Sequence, residues 1–191
     1  MFINWKLREL HVKVVYYGPP LGGKTTNLEQ LHNRLPADKR TDLVSVKTRE
    51  DRTLFFDFMQ VELNEVKGLQ PKFKLYTVPG QVYYEATRKL VLKDVDGLVF
   101  VADSSVQRLA ANRRAMQDMW RQLRELGRSP QDIPFVLQCN KQDLPDAVNP
   151  KLLARFLAVA ENTAVFPASA IQGQGVTETV KSIIGQVIAR I

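Results

Sequence analysis

Eight residues near the start of the chain, Gly18-Pro19-Pro20-Leu21-Gly22-Gly23-Lys24-Thr25, fit the spacing G-x-x-x-x-G-K-[ST]. Such a run can cradle a polyphosphate. Backbone N–H groups, those of Leu21 and Gly22 among them, turn inward around the anion, and Gly23 permits a close approach. Lys24 reaches the outer phosphates, and Thr25 presents its hydroxyl to Mg2+. A plain glycine turn ahead of a capped helix would use the same letters, so the flanking elements decide. They agree. Between His11 and Tyr17 a β-branched and aromatic run stops at Gly18, which reads as a strand. From Thr25 to Leu35, Leu28, Leu31 and Leu35 recur at helical spacing and the pattern ends before Pro36.

A phosphate cradle does not choose a base, and the choice must be read elsewhere. Asn140-Lys141-Gln142-Asp143 follows an apolar run, Phe135 to Cys139, that reads as a buried strand. That places the tetrapeptide at the carboxyl end of a sheet, where open α/β folds collect their ligands. An aspartate can accept two hydrogen bonds from the N1–H and exocyclic amino group of guanine, a pattern adenine does not offer. Asp143 is therefore the base-reading candidate. Asn140 would tie the loops together, and the Lys141 stem would lie over the base. Ser169 and Ala170 follow the next predicted strand, where a loop can touch the far edge of the base. An ATPase with the same phosphate loop would need Asp143 to be incidental.

Further strands are read at Thr53 to Leu63 and Lys72 to Val78, forming an antiparallel hairpin across the Gly68 turn, and at Gly97 to Ala102 and Ala164 to Ala168. Helices are expected over Leu109 to Leu126, Lys151 to Ala160 and Val176 to Ile191, while Ala37 to Glu50 reads as a polar, mixed stretch. Strands and helices alternate almost throughout. The expected architecture is an α/β fold, a mostly parallel sheet with one antiparallel strand and helices on both faces. At 191 residues, with no repeat or linker, residues 1–191 are expected to form a single domain.

Composition excludes several classes. Hydrophobic residues at 45% and charged residues at 25% match ordinary globular proteins and exclude a disordered chain. The single cysteine, Cys139, cannot form an internal disulfide and fits a reducing, cytoplasmic setting. No segment has the length of a membrane span, Met1 precedes no glycine, and the final residues offer no cysteine for prenylation, so no direct lipid anchor is expected. The net charge of +7 is scattered among acids rather than gathered into basic runs with interleaved aromatics, which argues against nucleic acid. His11 and His32 have no cluster of ligand residues around them in the sequence, which argues against zinc.

Together these pieces resemble the Ras-like small GTPases from Val12 to the last helix. The blocks Tyr16 to Pro19, Gly23 to Leu28 with Thr26 inside, Arg52 to Phe58 and Leu75 to Val82, joined by Asp96-Gly97 and Phe100 to Ser104, are similar to the MglA-type GTPases of bacterial cell polarity and gliding motility. The resemblance implies a switch that binds GTP/GDP with Mg2+ and hydrolyses GTP slowly alone. It also implies a Roadblock-domain activator of the MglB type, polarity or motility effector proteins, and a cytoplasmic protein recruited to a cell pole.

By the same resemblance, Gly80 offers its N–H to the γ-phosphate and Gln81 orients the attacking water. Arg52 corresponds to an arginine finger supplied in cis, and Thr53 to the first-switch threonine that binds Mg2+, with Thr48 its rival. Lys24, Arg52 and Gln81 are the catalytic candidates. Three departures stand out. Thr77 replaces the aspartate that opens the second switch in Ras-like proteins, Pro20 removes one N–H from the cradle, and Gln60 stands where relatives resemble Pro. Pro20 and Gln60 keep open a second reading, a pseudo-GTPase that holds nucleotide and works as a polarity scaffold, whereas the departure at Thr77 is shared by the MglA type and bears on how Mg2+ is held. Phe55, Phe56, Phe58, Tyr83 and Tyr84 near the switches read equally as docking surface or core, with at least one of the phenylalanines expected to face away from the core.

Overall fold

The computed structural model describes residues 1–46 and 56–191. Eight strands make one sheet: β1 (Phe2–Asn4), β2 (Glu9–Tyr17), β3 (Val44–Val46), β4 (Phe56–Glu62), β5 (Gln70–Thr77), β6 (Gly97–Asp103), β7 (Phe135–Asn140) and β8 (Ala164–Pro167). Their order is β3-β4-β5-β2-β6-β7-β8, with β1 pairing antiparallel to β2 outside that run. From β5 through β8 every pairing is parallel, while β4 runs antiparallel to both of its neighbours.

The helices are α1 (Lys24–Arg34), α2 (Glu85–Leu92), α3 (Leu109–Glu125), α4 (Pro150–Phe156) and α5 (Val176–Ile188). Side-chain alternation along the central strands builds two cores, one on each face. On β6, Val99 and Val101 join Leu28 and Leu31 of α1 and Ile183 and Val187 of α5. Leu98, Phe100 and Ala102 join Leu92 of α2, Met119 and Leu123 of α3 and Leu153 of α4. All seven residues of β6 are buried, as a continuous apolar run between two helical layers requires. Cys139 is buried in the second core, and burial pushes its thiol up to about 12, so it acts as a small hydrophobe.

Several boundaries differ from expectation. β1 and β3 are strands of three residues each, too short to show alternation, and β3 falls in the stretch read as polar and mixed. The helix α2 follows Tyr83-Tyr84 without a break and spans only eight residues, so its apolar stripe is brief. α4 ends at Phe156, earlier than expected, because Ala158 takes a left-handed φ of 53°. Phe56 and Phe58 lie on one face of β4 and pack on Tyr76 across the hairpin, with ring centroids 5.9 and 4.9 Å apart. Phe55 lies outside the described residues. No helix among the described residues is long and apolar enough to cross a membrane.

Candidate functional site

Because β2, β5, β6, β7 and β8 run parallel, their carboxyl ends meet at one edge of the sheet, where Asp103 and Asn140 end β6 and β7 and the loops that leave the other three strands carry Gly18, Gly80 and Ser169. β4 runs the other way, so its amino-terminal end, Phe56-Asp57, reaches the same edge. The loops enclose a cleft of about 660 Å³ lined by residues 20–26, by Asp57, and by 77–81.

The phosphate-loop residues Leu21, Gly22, Gly23, Lys24, Thr25 and Thr26 line this cleft, and Gly18 ends the strand that leads into it. Leu21 is exposed at 86% and left-handed at φ 60°. Gly23 opens α1 at φ 96°, and a Cβ there would lie 2.1 Å from Asn140 Nδ2. Both conditions demand glycine. Lys24 is buried, and its Nζ donates to the carbonyls of Gly18 at 3.0 Å and Pro19 at 2.7 Å. Its pKa is lowered to about 7, chiefly by burial and also by the nearby charge of Arg88, with Asp57 opposing both. An anionic ligand in the cleft would restore the full charge of this ammonium.

Beneath the loop, Asn27 of α1 exchanges hydrogen bonds of 2.8 and 2.9 Å with Gln138 of β7, and Gln138 donates to Thr179 of α5 at 2.9 Å. All three are fully buried. A satisfied polar network at this depth fixes one rotamer at each position and pins the start of α1. The sequence signal was the lone glutamine inside the apolar run Phe135 to Cys139.

Asn140 bonds to two of these loops. Its Nδ2 donates to the Gly22 carbonyl at 2.8 Å and its Oδ1 accepts from the Ala170 N–H at 2.8 Å. Asp143 accepts from the Ser169 hydroxyl at 2.6 Å, which places the two base-edge candidates side by side. Lys141 is left-handed at φ 68°, and its Nζ donates to Asp103 at 2.7 Å. Asp103, buried at the end of β6, thereby fixes the lysine that was expected to cover the base.

Gln81 is exposed at the cleft, beside Gly80. A Cβ on Gly80 would lie 2.4 Å from the Pro20 nitrogen, so the second-switch glycine rests directly on the phosphate loop. Pro20 is held in turn by Arg108, whose Nη2 donates to its carbonyl at 2.8 Å. Arg52, Thr53 and its rival Thr48 lie outside the described residues.

One acidic residue was missed. Thr25 Oγ1 donates to Asp57 Oδ2 at 2.6 Å, Thr77 Oγ1 donates to the same oxygen at 2.9 Å, and Ser45 donates to Oδ1 at 2.7 Å. The Asp57 N–H donates back to Thr77 Oγ1 at 2.9 Å. A carboxylate therefore stands beside the phosphate-loop threonine, although Thr77 brings none.

Residues 1–187 match the model of the ADP-ribosylation factor family. The chain is 45% identical over 190 residues, 100% of its length and 97% of the relative's, to the mutual gliding-motility protein MglA of Myxococcus xanthus. It is 29% identical to the human ADP-ribosylation factor-like protein 4D, covering 95% of this chain and 84% of the relative. In fold it is similar to a small GTPase of Trypanosoma brucei, Arl6, solved with the nucleotide analogue GppNp, at a TM-score of 0.67 and 21% identity over 93% of this chain and 98% of that one. The chain is a small GTPase of the ADP-ribosylation factor family and, within it, a member of the MglA group.

Proposed function

We propose that the chain, acting as one domain, is a nucleotide-dependent switch in bacterial motility and cell polarity, taking up GTP with Mg2+ and hydrolysing it slowly until a Roadblock-domain activator of the MglB type engages it. The observation that carries this reading is the single cleft in which the phosphate loop, Thr25, Asp57, Gly80 and Gln81 converge. Asn140 couples it to the base-side loop, where Asp143 and Ser169 pair. In the hydrolysis, water attacks the γ-phosphorus as the bond to the β–γ bridging oxygen breaks, leaving GDP and phosphate. Lys24, with Arg52 from the first switch, stabilises charge on the transferring group, and Gln81 orients the water. Leu21, exposed at 86%, lines the cleft, and Tyr83, exposed at 94%, lies two residues beyond Gln81; both are docking side chains for effectors that distinguish the two nucleotide states.

The oxygen set of Thr25, Asp57 and Thr77 fits a hard cation such as Mg2+. A divalent ion there would neutralise charge on the β- and γ-phosphates. Asp57 does, from β4, what an aspartate at position 77 does in other Ras-like proteins. Its carboxylate accepts from the Thr25 hydroxyl, is oriented by Thr77, and would help to hold the ion when bound. The expected result for Asp57→Ala is that Mg2+ loses most of its grip on bound nucleotide. Release of a fluorescent GDP, compared with Mg2+ and with chelator, should show the magnesium effect reduced by roughly 10- to 100-fold, the worth of a charge-assisted contact. An undiminished magnesium effect in the variant would remove Asp57 from the ion's surroundings.

The scaffold reading is disfavoured by Gln81, which stands in the cleft beside Gly80 with its side chain exposed.

A further inference from the structure

Thirty-seven residues beyond Gln81 in sequence, one carboxylate on α3 gathers hydrogen bonds from β2 and α2, the elements that adjoin two of the loops forming the cleft. Asp118 Oδ2 accepts from Tyr17 Oη at 2.6 Å, from Gln122 Nε2 at 2.8 Å and from Arg88 Nε at 3.1 Å, and its Oδ1 accepts from Arg121 Nη2 at 2.6 Å. Tyr17 is the last residue before the phosphate loop. Arg88 belongs to α2, is 5% exposed, and turns its other end toward the second switch. Its Nη1 donates to the carbonyl of Gln81 and, at 3.5 Å, to the carbonyl of Pro79.

Peptide geometry gives this arrangement a consequence. The chain has no cis peptide bond among its described residues, so the Pro79 carbonyl and the Gly80 N–H lie in one rigid plane and point in opposite directions. Drawing that carbonyl toward Arg88 aims the Gly80 N–H the other way. Holding the Gln81 carbonyl fixes the next-but-one peptide, and between the two restraints the Cα of Gln81 has little freedom. A guanidinium could reach two carbonyls in many orientations, but with Nε anchored on Asp118 it has one.

We infer that Asp118 is a positioning residue for GTP hydrolysis, acting through Arg88 to fix the peptide before Gly80 and the peptide after Gln81, and so the aim of the Gly80 N–H and the Gln81 side chain. The inference rests on the roles given to Gly80 and Gln81 above. The carboxylate is suited to the task because it stays ionised: burial opposes its charge, but hydrogen bonds from Tyr17, Arg121 and Gln122 and the charge of Arg88 outweigh burial and hold it below the usual carboxylate range. Because Tyr17 shares the same oxygen, the second switch and the base of the phosphate loop are referenced to one point on α3, a helix anchored in the core by Met116, Met119 and Leu123.

The test is single-turnover phosphate release from full-length protein saturated with GTP, with the affinity for a fluorescent GDP and the thermal midpoint measured on the same samples. Asp118→Ala and Arg88→Ala should each slow release by about 10- to 100-fold, the scale on which a small misplacement of reacting groups acts, with GDP affinity changed less than threefold. The double variant should be no slower than the slower single one, because both break one connection. Asp118→Asn, which keeps the shape and one acceptor, covers the case in which Asp118→Ala does not fold, and its expected loss is intermediate.

Wild-type release from Asp118→Asn or Asp118→Ala would overturn the inference. So would losses confined to GDP affinity and thermal midpoint, or losses that multiply in the double variant. Gln81→Leu, run in parallel, separates this inference from its foundation. A slow Gln81→Leu beside a normal Asp118 variant overturns the inference alone, whereas a Gln81→Leu that hydrolyses normally removes the assignment beneath it and the inference together.

Discussion

Asp143→Asn protein is expected to exchange its base preference, binding xanthine nucleotides more tightly than guanine ones. In the proposed role the carboxylate offers two acceptors to the N1–H and 2-amino donors of guanine. Its orientation is set by the Ser169 hydroxyl at 2.6 Å, and Asn140 fixes both loops to Gly22 and Ala170. In the variant, an amide N–H2 faces the guanine amino group and leaves a donor opposed to a donor. Xanthine has a carbonyl at that position and accepts from the amide. A site built to bond a polar edge rejects the mismatched analogue by up to about 10⁴-fold, so the swing in relative affinity is expected to approach that size. Displacement of a fluorescent nucleotide by GDP and by XDP measures it directly. An unchanged preference would remove Asp143 as the base-reading residue, and the ATPase alternative would regain ground.

The second large effect is expected in the chemistry. Gln81 lines the cleft beside a glycine whose position is fixed by contact with the Pro20 backbone, so its side chain has a short and defined reach. Gln81→Leu keeps the bulk and removes both the donor and the acceptor that, in the proposed role, orient water. Stimulated phosphate release should fall by about 10²- to 10⁴-fold, as for loss of a general acid–base or water-positioning group. Arg52→Ala should cost about 10³- to 10⁵-fold in the same assay, the range measured for arginine fingers. In both variants nucleotide affinity should change little, since the interactions removed are made in the transition state. Phosphate release with a Roadblock-domain partner present checks both. A variant that keeps the full stimulated rate does not carry the role given to its residue.

The strongest parts of the site were written in contiguous residues. The run Gly18 to Thr25 carries its geometry locally, because a cradle closed by Gly23 needs only the strand before it and the helix after it. Asn140 to Asp143 depends only on its place at the end of a buried strand. The fold was legible for the same reason, since alternating strands and helices with buried parallel strands leave few topologies.

Asp57 was not legible. In the sequence it is one polar residue in an imperfectly alternating strand, and its neighbours Thr25, Ser45 and Thr77 come from three other elements. What makes it a site residue is the register of β4 against β3 and β5, where Ser45 pairs with Asp57 and Phe58 with Tyr76. Register over such distances leaves no mark on local spacing. The same holds for Asp118 and Arg88, thirty residues apart on two helices that local spacing does not bring together. Pro20 was legible only as a loss, one N–H fewer in the cradle. The fold adds its use, a rigid floor on which Gly80 rests while Arg108 holds the carbonyl.

The central claim, a guanine-selective switch, meets its most direct test in one titration. Nucleotide-stripped protein would be titrated with GDP, a non-hydrolysable GTP analogue and ATP in the presence of Mg2+, with phosphate release followed in a matched GTP sample. Tight binding of both guanine nucleotides, weak binding of ATP and slow release of phosphate are predicted. Equal affinity for ATP would contradict the base assignment, and guanine binding with no phosphate release, even with a Roadblock-domain partner added, would contradict the switch in favour of a nucleotide-holding scaffold.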